Sequence, residues 1–255
     1  MLFKFFICFV AGIGAGLGTG FAGMSAAAVI SPMLITFLHM DPYLAVGIAL
    51  ASDVLASAVS AYTYGKNKNL DIRNGAVMMA AVLSFTLVGS YVASLVPSRT
   101  MGSFSTWMTL LLGIKFIVRP VMTTKSAMNA VSAKKRIVQS LLCGMMVGFI
   151  CGFVGAGGGM MMLLLLTSVL GYELKTAVGT SVFIMTFTAL TGSLSHFTIG
   201  GPPDPFCLVC CVLSTLLWAR MAARFANKAS PKLLNRATGV VLTALGAAIL
   251  IVNLL

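Results

Sequence analysis

Five glycines fall within the eight residues "GFVGAGGG" (152–159), and a related run, "GTGFAGMS", occupies residues 18–25. Glycine in a helix interior costs about 1 kcal/mol relative to alanine, so an apolar helical chain that concentrates it here is giving up helicity. A break in a helix exposes backbone N–H groups at the start of the next helical piece. Those donors and the helix dipole together carry roughly half a positive charge and form a ready seat for an anion. Glycine lets a ligand approach the backbone closely. The residues placed at such a seat are Gly20, Gly23, Met24 and Ser25 in the first run and Gly155, Ala156, Gly157, Gly158 and Gly159 in the second. Neither run contains a lysine or arginine, so the cradle would be one of backbone donors, suited to a small oxyanion that must be released again. Helix packing is the competing explanation. Gly12, Gly16 and Gly20 are spaced four apart, as are Gly144, Gly148 and Gly152, and small residues at that spacing let membrane helices approach closely. Gly155, Gly157, Gly158 and Gly159 do not fit that stripe.

Polar groups inside the apolar runs are the other candidates. Asp53, in "LASDVLASAVSAY", is the one clear ionisable residue at depth. An acid inside a membrane helix costs a few kcal/mol and marks a functional position by default. Carrying a proton opposite an anion is its candidate role, and a structural hydrogen bond is the alternative. Thr180 and Ser181 can donate hydroxyls to an oxyanion or bond their own helix carbonyls. His196 sits toward the end of its run and reads as an interfacial polar group. Cys207, Cys210 and Cys211, in "CLVCC", have no His or second Cys pair nearby in sequence and read as buried thiols. "GTGFAG" matches a dinucleotide fingerprint literally, but it follows no strand and opens no βαβ unit. No nucleotide loop, metal-ligand pair or nucleophile with a base is present. The expectation is therefore a non-enzyme without cofactor or metal.

The elements that must position these residues belong in a bilayer. The 255 residues are 59% hydrophobic and 9% charged, against roughly 25% charged in soluble domains. The apolar runs are helix-length and lack the alternation of barrel strands. They span roughly 2–22, 26–39, 43–64, 74–96, 101–118, 137–153, 159–170, 174–199, 204–222 and 237–254. A span needs about 20 residues, so the runs at 26–39 and 159–170, each following a glycine-rich break, are too short for an upright crossing. The net charge of +12 suggests a nucleic-acid binder until the charges are placed. Fourteen of the 17 basic residues fall in three clusters that flank or fill breaks between runs: 66–73, 115–136 and 220–236. That is the positive-inside pattern of a membrane protein, with the lipid bilayer as partner and nucleic acid excluded.

The halves repeat. A shift of 132 positions lays Gly12, Gly16, Gly20, Phe21 and Gly23 on Gly144, Gly148, Gly152, Phe153 and Gly155, and Ala45-Val46-Gly47 on Ala177-Val178-Gly179, with no gap. Asp53 falls on Met185. The loop at 65–73 is basic while its equivalent at 197–205 carries no basic residue. The loop at 97–100 has only Arg99, while the region near 224–236 is strongly basic. Equivalent loops thus lie on opposite sides, which predicts an all-α polytopic protein of two inverted repeats, each of about five hydrophobic segments including a broken or short helix pair. The expected divisions are a first repeat at 1–118, a basic cytoplasmic connector at 119–136 and a second repeat at 137–255. Both termini fall outside the inner cell membrane. A second copy of the chain is a further candidate partner.

The stretch "GFVGAGGGMMMLLLLTSVLGYELKTAVGTSVFIMTFTALTGSLSHFTIGG" resembles the signature of the sulfite exporter TauE/SafE family: a glycine-rich "GxGGG", a short apolar run, an "A-V-G-T-S" motif, then a glycine before an outside loop. The resemblance implies a membrane permease for sulfur anions such as sulfite or organosulfonates, usually moving them outward. The first half departs from the pattern. Ser25, Ala26 and Ala27 stand where the family more usually carries glycines, and "AVGIAL" lacks the Thr-Ser pair found at Thr180 and Ser181. The rival readings are a transporter that uses cysteine and methionine to carry a soft metal or reducing equivalents, a passive anion channel, and a membrane enzyme.

Overall fold

A computed structural model describes residues 1–94, 102–129, 132–154 and 158–254. Gly155, Ala156 and Gly157 of the second glycine run lie outside the described residues. Eleven helices and no strand are present among the described residues. They are α1 (Leu2–Ala22), α2 (Ala27–Leu38), α3 (Pro42–Lys66), α4 (Ile72–Ser94), α5 (Gly102–Val118), α6 (Lys125–Asn129), α7 (Ala133–Val154), α8 (Gly158–Ser168), α9 (Leu174–Gly200), α10 (Pro205–Lys228) and α11 (Pro231–Leu254). Among the described residues, six are long and apolar enough to cross a membrane: α1, α3, α4, α9, α10 and α11. α2 and α8, of 12 and 11 residues, are too short for that, as their apolar runs predict.

The sequence explains where the helices start and stop. Asp-Pro opens both α3 and α10. Asp41 Oδ1 accepts from the N–H groups of Tyr43 and Leu44 at 3.0 and 3.1 Å. Asp204 Oδ1 accepts from Phe206 and Cys207 at 2.9 and 3.2 Å. Each proline then occupies the first turn, where a missing N–H costs nothing. α1 ends at Gly23, which takes the left-handed conformation (φ 60°). The N–H groups of Gly23 and Met24 turn back to Thr19 O and Gly18 O at 2.9 and 3.2 Å, closing the helix end.

The basic connector is more helical than its charge suggests. α6 lies within it, and Lys134, Lys135 and Arg136 already belong to the first turn of α7. The third cluster likewise straddles two helices. Arg220, Arg224 and Lys228 lie on α10, and Lys232 and Arg236 on α11.

The order of helices in the first part recurs in the second. α1, α2 and α3, of 21, 12 and 25 residues, reappear as α7, α8 and α9, of 22, 11 and 27. α1 packs on α10 and, equivalently, α7 packs on α4. The glycine stripes make both contacts. A methyl group on Gly16 or on Gly20 would stand 2.7 Å from a backbone carbonyl of α10, and one on Gly144 would stand 2.7 Å from Met78 O of α4. The equivalent helices α3 and α9 pack antiparallel, with Gly47 against His196 and Phe197 and Gly179 against Tyr64 and Asn69. α5 and α11 also pack antiparallel, with Gly246 at Leu110 and Gly239 at Ile117. Equivalent helices that run in opposite directions are consistent with an inverted repeat. The outer surface is apolar, with Tyr91, Leu194, Leu213 and Ile251 all exposed. These residues face where lipid would be.

Candidate functional site

The first helix break meets the start of α8. A methyl group on Gly159, the second residue of α8, would lie 2.5 Å from Gly23 O and 3.0 Å from Ser25 N. Only glycine permits that approach. A break inside a membrane must find new partners for its freed carbonyls, because lipid offers none. Four side chains from four helices supply them. Thr19 Oγ1 donates to Met24 O at 2.8 Å and Tyr64 Oη to Gly20 O at 2.9 Å. Ser181 Oγ donates to Gly23 O and Thr238 Oγ1 to Phe21 O, both at 3.2 Å. All four residues are buried.

The start of α2 is also partnered. The Ala27 N–H donates to Ser25 Oγ at 3.3 Å. The Ser25 hydroxyl and the Ala26 N–H both face the carboxyl of Asp53. On α3, Ser57 Oγ donates to Asp53 Oδ1 at 2.8 Å. Asp53 is 1% exposed.

A cavity of about 510 Å³ opens beside the junction. Ser25, Asp53, Gly158, Gly159 and Met185 line the end at the breaks, and the wall continues along α9 to Ser195 and His196. Val82, Leu83, Thr86 and Leu87 of α4 and Cys151 of α7 complete it. Among the described residues, no lysine or arginine lines it. His196 is tied at the far end, with Nδ1 3.0 Å from Tyr43 O and its ring 4.1 Å from the Tyr43 ring.

On the other side of the breaks the chain is closed by polar contacts. Thr180 Oγ1 accepts from the Asp71 N–H at 3.2 Å. Tyr172 Oη and Asn74 Nδ2 donate to Asp71 Oδ2 at 2.8 and 2.7 Å, and Arg136 stands 3.8 Å away. Burial, and then the Asp71 carboxylate, push the Tyr172 phenol up, so it stays a neutral donor. Asn69 bridges to Asn227 at 2.8 Å, and Lys175 donates to Asn227 O at 2.9 Å.

The structure therefore divides the residues singled out in the sequence. Ser25, Gly158, Gly159 and Asp53 meet on the cavity wall. Gly23 and Ser181 build the junction behind it. Met24 is fully buried with its carbonyl taken by Thr19, and Gly20 packs on α10. Thr180 faces the start of α4 and not the cavity. Sequence reasoning missed Thr19, Tyr64 and Thr238, the donors that make the break tolerable. Hydroxyls inside apolar runs were their only signal. It also missed Cys8, whose thiol meets Cys207 and Cys211 between α1 and α10. Even so, no group of three or more His, Cys, Asp or Glu side chains among the described residues is arranged to hold a metal.

The profile of the family described as "Sulfite exporter TauE/SafE" matches residues 8–249. The chain belongs to the TauE/SafE family. Its relatives include the probable membrane transporter protein YdhB of Bacillus subtilis, 24% identical over 214 residues, covering 83% of this chain and 86% of that one. The probable membrane transporter protein YunE of the same organism is 27% identical over 222 residues, covering 77% and 80%. A probable membrane transporter protein of Methanocaldococcus jannaschii is 26% identical over 214 residues, covering 79% and 77%. No solved structure matches the chain. As a TauE/SafE member, this chain is a multi-pass membrane transporter, and the match spans both glycine breaks and every helix that lines the cavity.

Proposed function

We propose that this TauE/SafE protein is a permease for small sulfur oxyanions, sulfite or organosulfonates, and that the anion binds in the cavity at the junction of α2 and α8. The observation that carries the reading is the meeting of two half-helix starts, at Ser25 and at Gly158–Gly159, on the wall of a cavity that no lysine or arginine lines among the described residues. Backbone donors there offer partial positive charge without a fixed cation. Binding of that kind is strong enough to select an anion and weak enough to release it. In this reading, Gly155, Ala156 and Gly157 complete the second cradle, and Asp53 couples transport to proton movement.

The same reading takes residues 1–118 and 137–255 as two inverted halves joined by a cytoplasmic connector at 119–136, with both termini outside the inner membrane. The cavity then opens toward the outside along α9, while the Asp71, Asn69 and Asn227 contacts close the inside. That is one of the two states that alternating access requires. Counterflow of labelled sulfite into liposomes holding the purified protein tests the function. Exchange competed by sulfite, thiosulfate and sulfonates is the expected result. Exchange competed only by a soft metal ion, or no exchange, contradicts it.

A further inference from the structure

The cavity floor is chemically lopsided. At the start of α2, the Ser25 hydroxyl and Ala26 N–H already face an anion, the carboxyl of Asp53. At the start of α8, the position equivalent to Asp53 under the 132-residue shift is Met185, whose sulfur would lie 2.8 Å from a methyl group on Gly159. Both positions line the same cavity. A helix start attracts negative charge whether it comes from a ligand or from the chain itself.

We propose that Asp53 is a tethered anion that holds the start of α2 until it is protonated, and that the transported anion gains those donors only when a proton joins Asp53. This inference rests on the cavity being an anion site. The step balances simply. The carboxylate takes one proton from the cavity water and becomes a neutral acid, and the incoming anion replaces its charge at the Ser25 and Ala26 donors. No other bond forms or breaks. The proton therefore moves with the anion and not opposite it.

The surroundings leave little room for both charges at once. Ser57 faces the carboxyl from α3, and Ser25 and the Ala26 N–H face it from the break. α8 and α9 bring Gly159 and Met185 to the same floor, and α4 brings Val82, Leu83, Thr86 and Leu87 to the wall. Among the described residues, no lysine, arginine or histidine interacts with the carboxyl. Among the described residues, the other titratable groups lining the cavity are Cys151 on α7 and His196, which is held to Tyr43 at the far end. Two negative charges in a cavity whose described lining holds no lysine or arginine repel strongly at low dielectric, so one must be neutralised or leave.

The test uses the purified full chain in weakly buffered detergent solution with methanesulfonate, an anion whose own charge does not change with pH. Calorimetry reads binding and a pH-sensitive dye reads proton uptake. The wild-type protein should take up about one proton per anion bound, with affinity falling about tenfold per pH unit where Asp53 is ionised. Asp53→Asn should bind with no uptake and no pH dependence. His196→Gln should keep the uptake. Binding without uptake in the wild type, uptake that survives Asp53→Asn, or uptake lost in His196→Gln overturns the proposal while leaving the anion site standing. Absence of binding by methanesulfonate, sulfite and thiosulfate alike removes the anion site, and the proposal with it. The wild-type and His196→Gln results decide the matter even if Asp53→Asn does not fold.

Discussion

Gly159→Ala places a single methyl group where the start of α8 touches the first helix break. That methyl would stand 2.5 Å from Gly23 O and 3.0 Å from Ser25 N, against about 3.5 Å for relaxed contact. Neither neighbour yields easily. Both atoms are backbone, and Gly23 O is held by Ser181 Oγ at 3.2 Å. Overpacking of this kind costs about 1–3 kcal/mol, while alanine returns about 1 kcal/mol of helix propensity. The net loss of stability is thus at most about 2 kcal/mol. The functional loss should be larger, because a shift of about 1 Å in a preorganised site costs on the order of 100-fold. Gly171→Ala is the matched control. Gly171 has φ 65° with nothing within 4 Å of the added methyl, so the substitution carries only left-handed strain of about 1–2 kcal/mol. Anion counterflow per folded molecule, with thermal unfolding measured in the same detergent, separates the two. Gly159→Ala should fall about 100-fold in transport and Gly171→Ala should be unchanged, at similar stability cost. Wild-type transport by Gly159→Ala, or an equal fall in both, refutes the reasoning.

Tyr64→Phe removes the donor to Gly20 O at a fully buried site, and leaving that carbonyl unpaired costs about 1–3 kcal/mol. Chemical unfolding should show the loss, whereas Tyr62→Phe, at a residue 71% exposed, should show none. Burial pulls the Asp204 carboxyl up, but the Cys207 N–H and Lys4 outweigh it and hold the group below the usual carboxylate range. Its contribution is therefore present above an ordinary aspartate pKa of about 3.9 and is lost as pH falls through the lower folded value. Asp204→Ala should cost about 1 kcal/mol at neutral pH through the lost cap, with the difference closing in strong acid when melting is followed against pH. In a cysteine-free background, a cysteine replacing Lys125 should react in intact cells only with membrane-permeant reagents, and one replacing Pro203 with impermeant reagents as well. The reverse pattern would invert the orientation.

Much of the fold is legible in the sequence because lipid imposes simple rules. Apolar length gives the helices, the first glycine cluster gives the break after α1, and the shift of 132 residues pairs α1–α3 with α7–α9. The residues around the breaks are harder to read. Thr180 and Ser181 are neighbours in one motif, yet a helix turns them to different faces. Ser181 reaches Gly23 O, while Thr180 meets the Asp71 N–H. Thr19, Tyr64 and Thr238 serve one break from three helices, and no local pattern announces that convergence. Asp53 stands out by its charge alone, but its contact with the start of α2 depends on how α3 crosses the break. Cys8 joins Cys207 and Cys211 only because the Gly12–Gly16–Gly20 stripe draws α1 against α10.

The seat of the anion itself is open to direct observation. Crystals of the full chain soaked in selenate, a tetrahedral surrogate for a sulfur oxyanion, would report its position by anomalous scattering. A peak on the cavity floor, beside Ser25 and the N–H groups of Gly158 and Gly159, is the predicted result. A peak confined to the basic clusters at the helix ends, with the floor empty at saturating selenate, would contradict the assignment of the two breaks as the anion site.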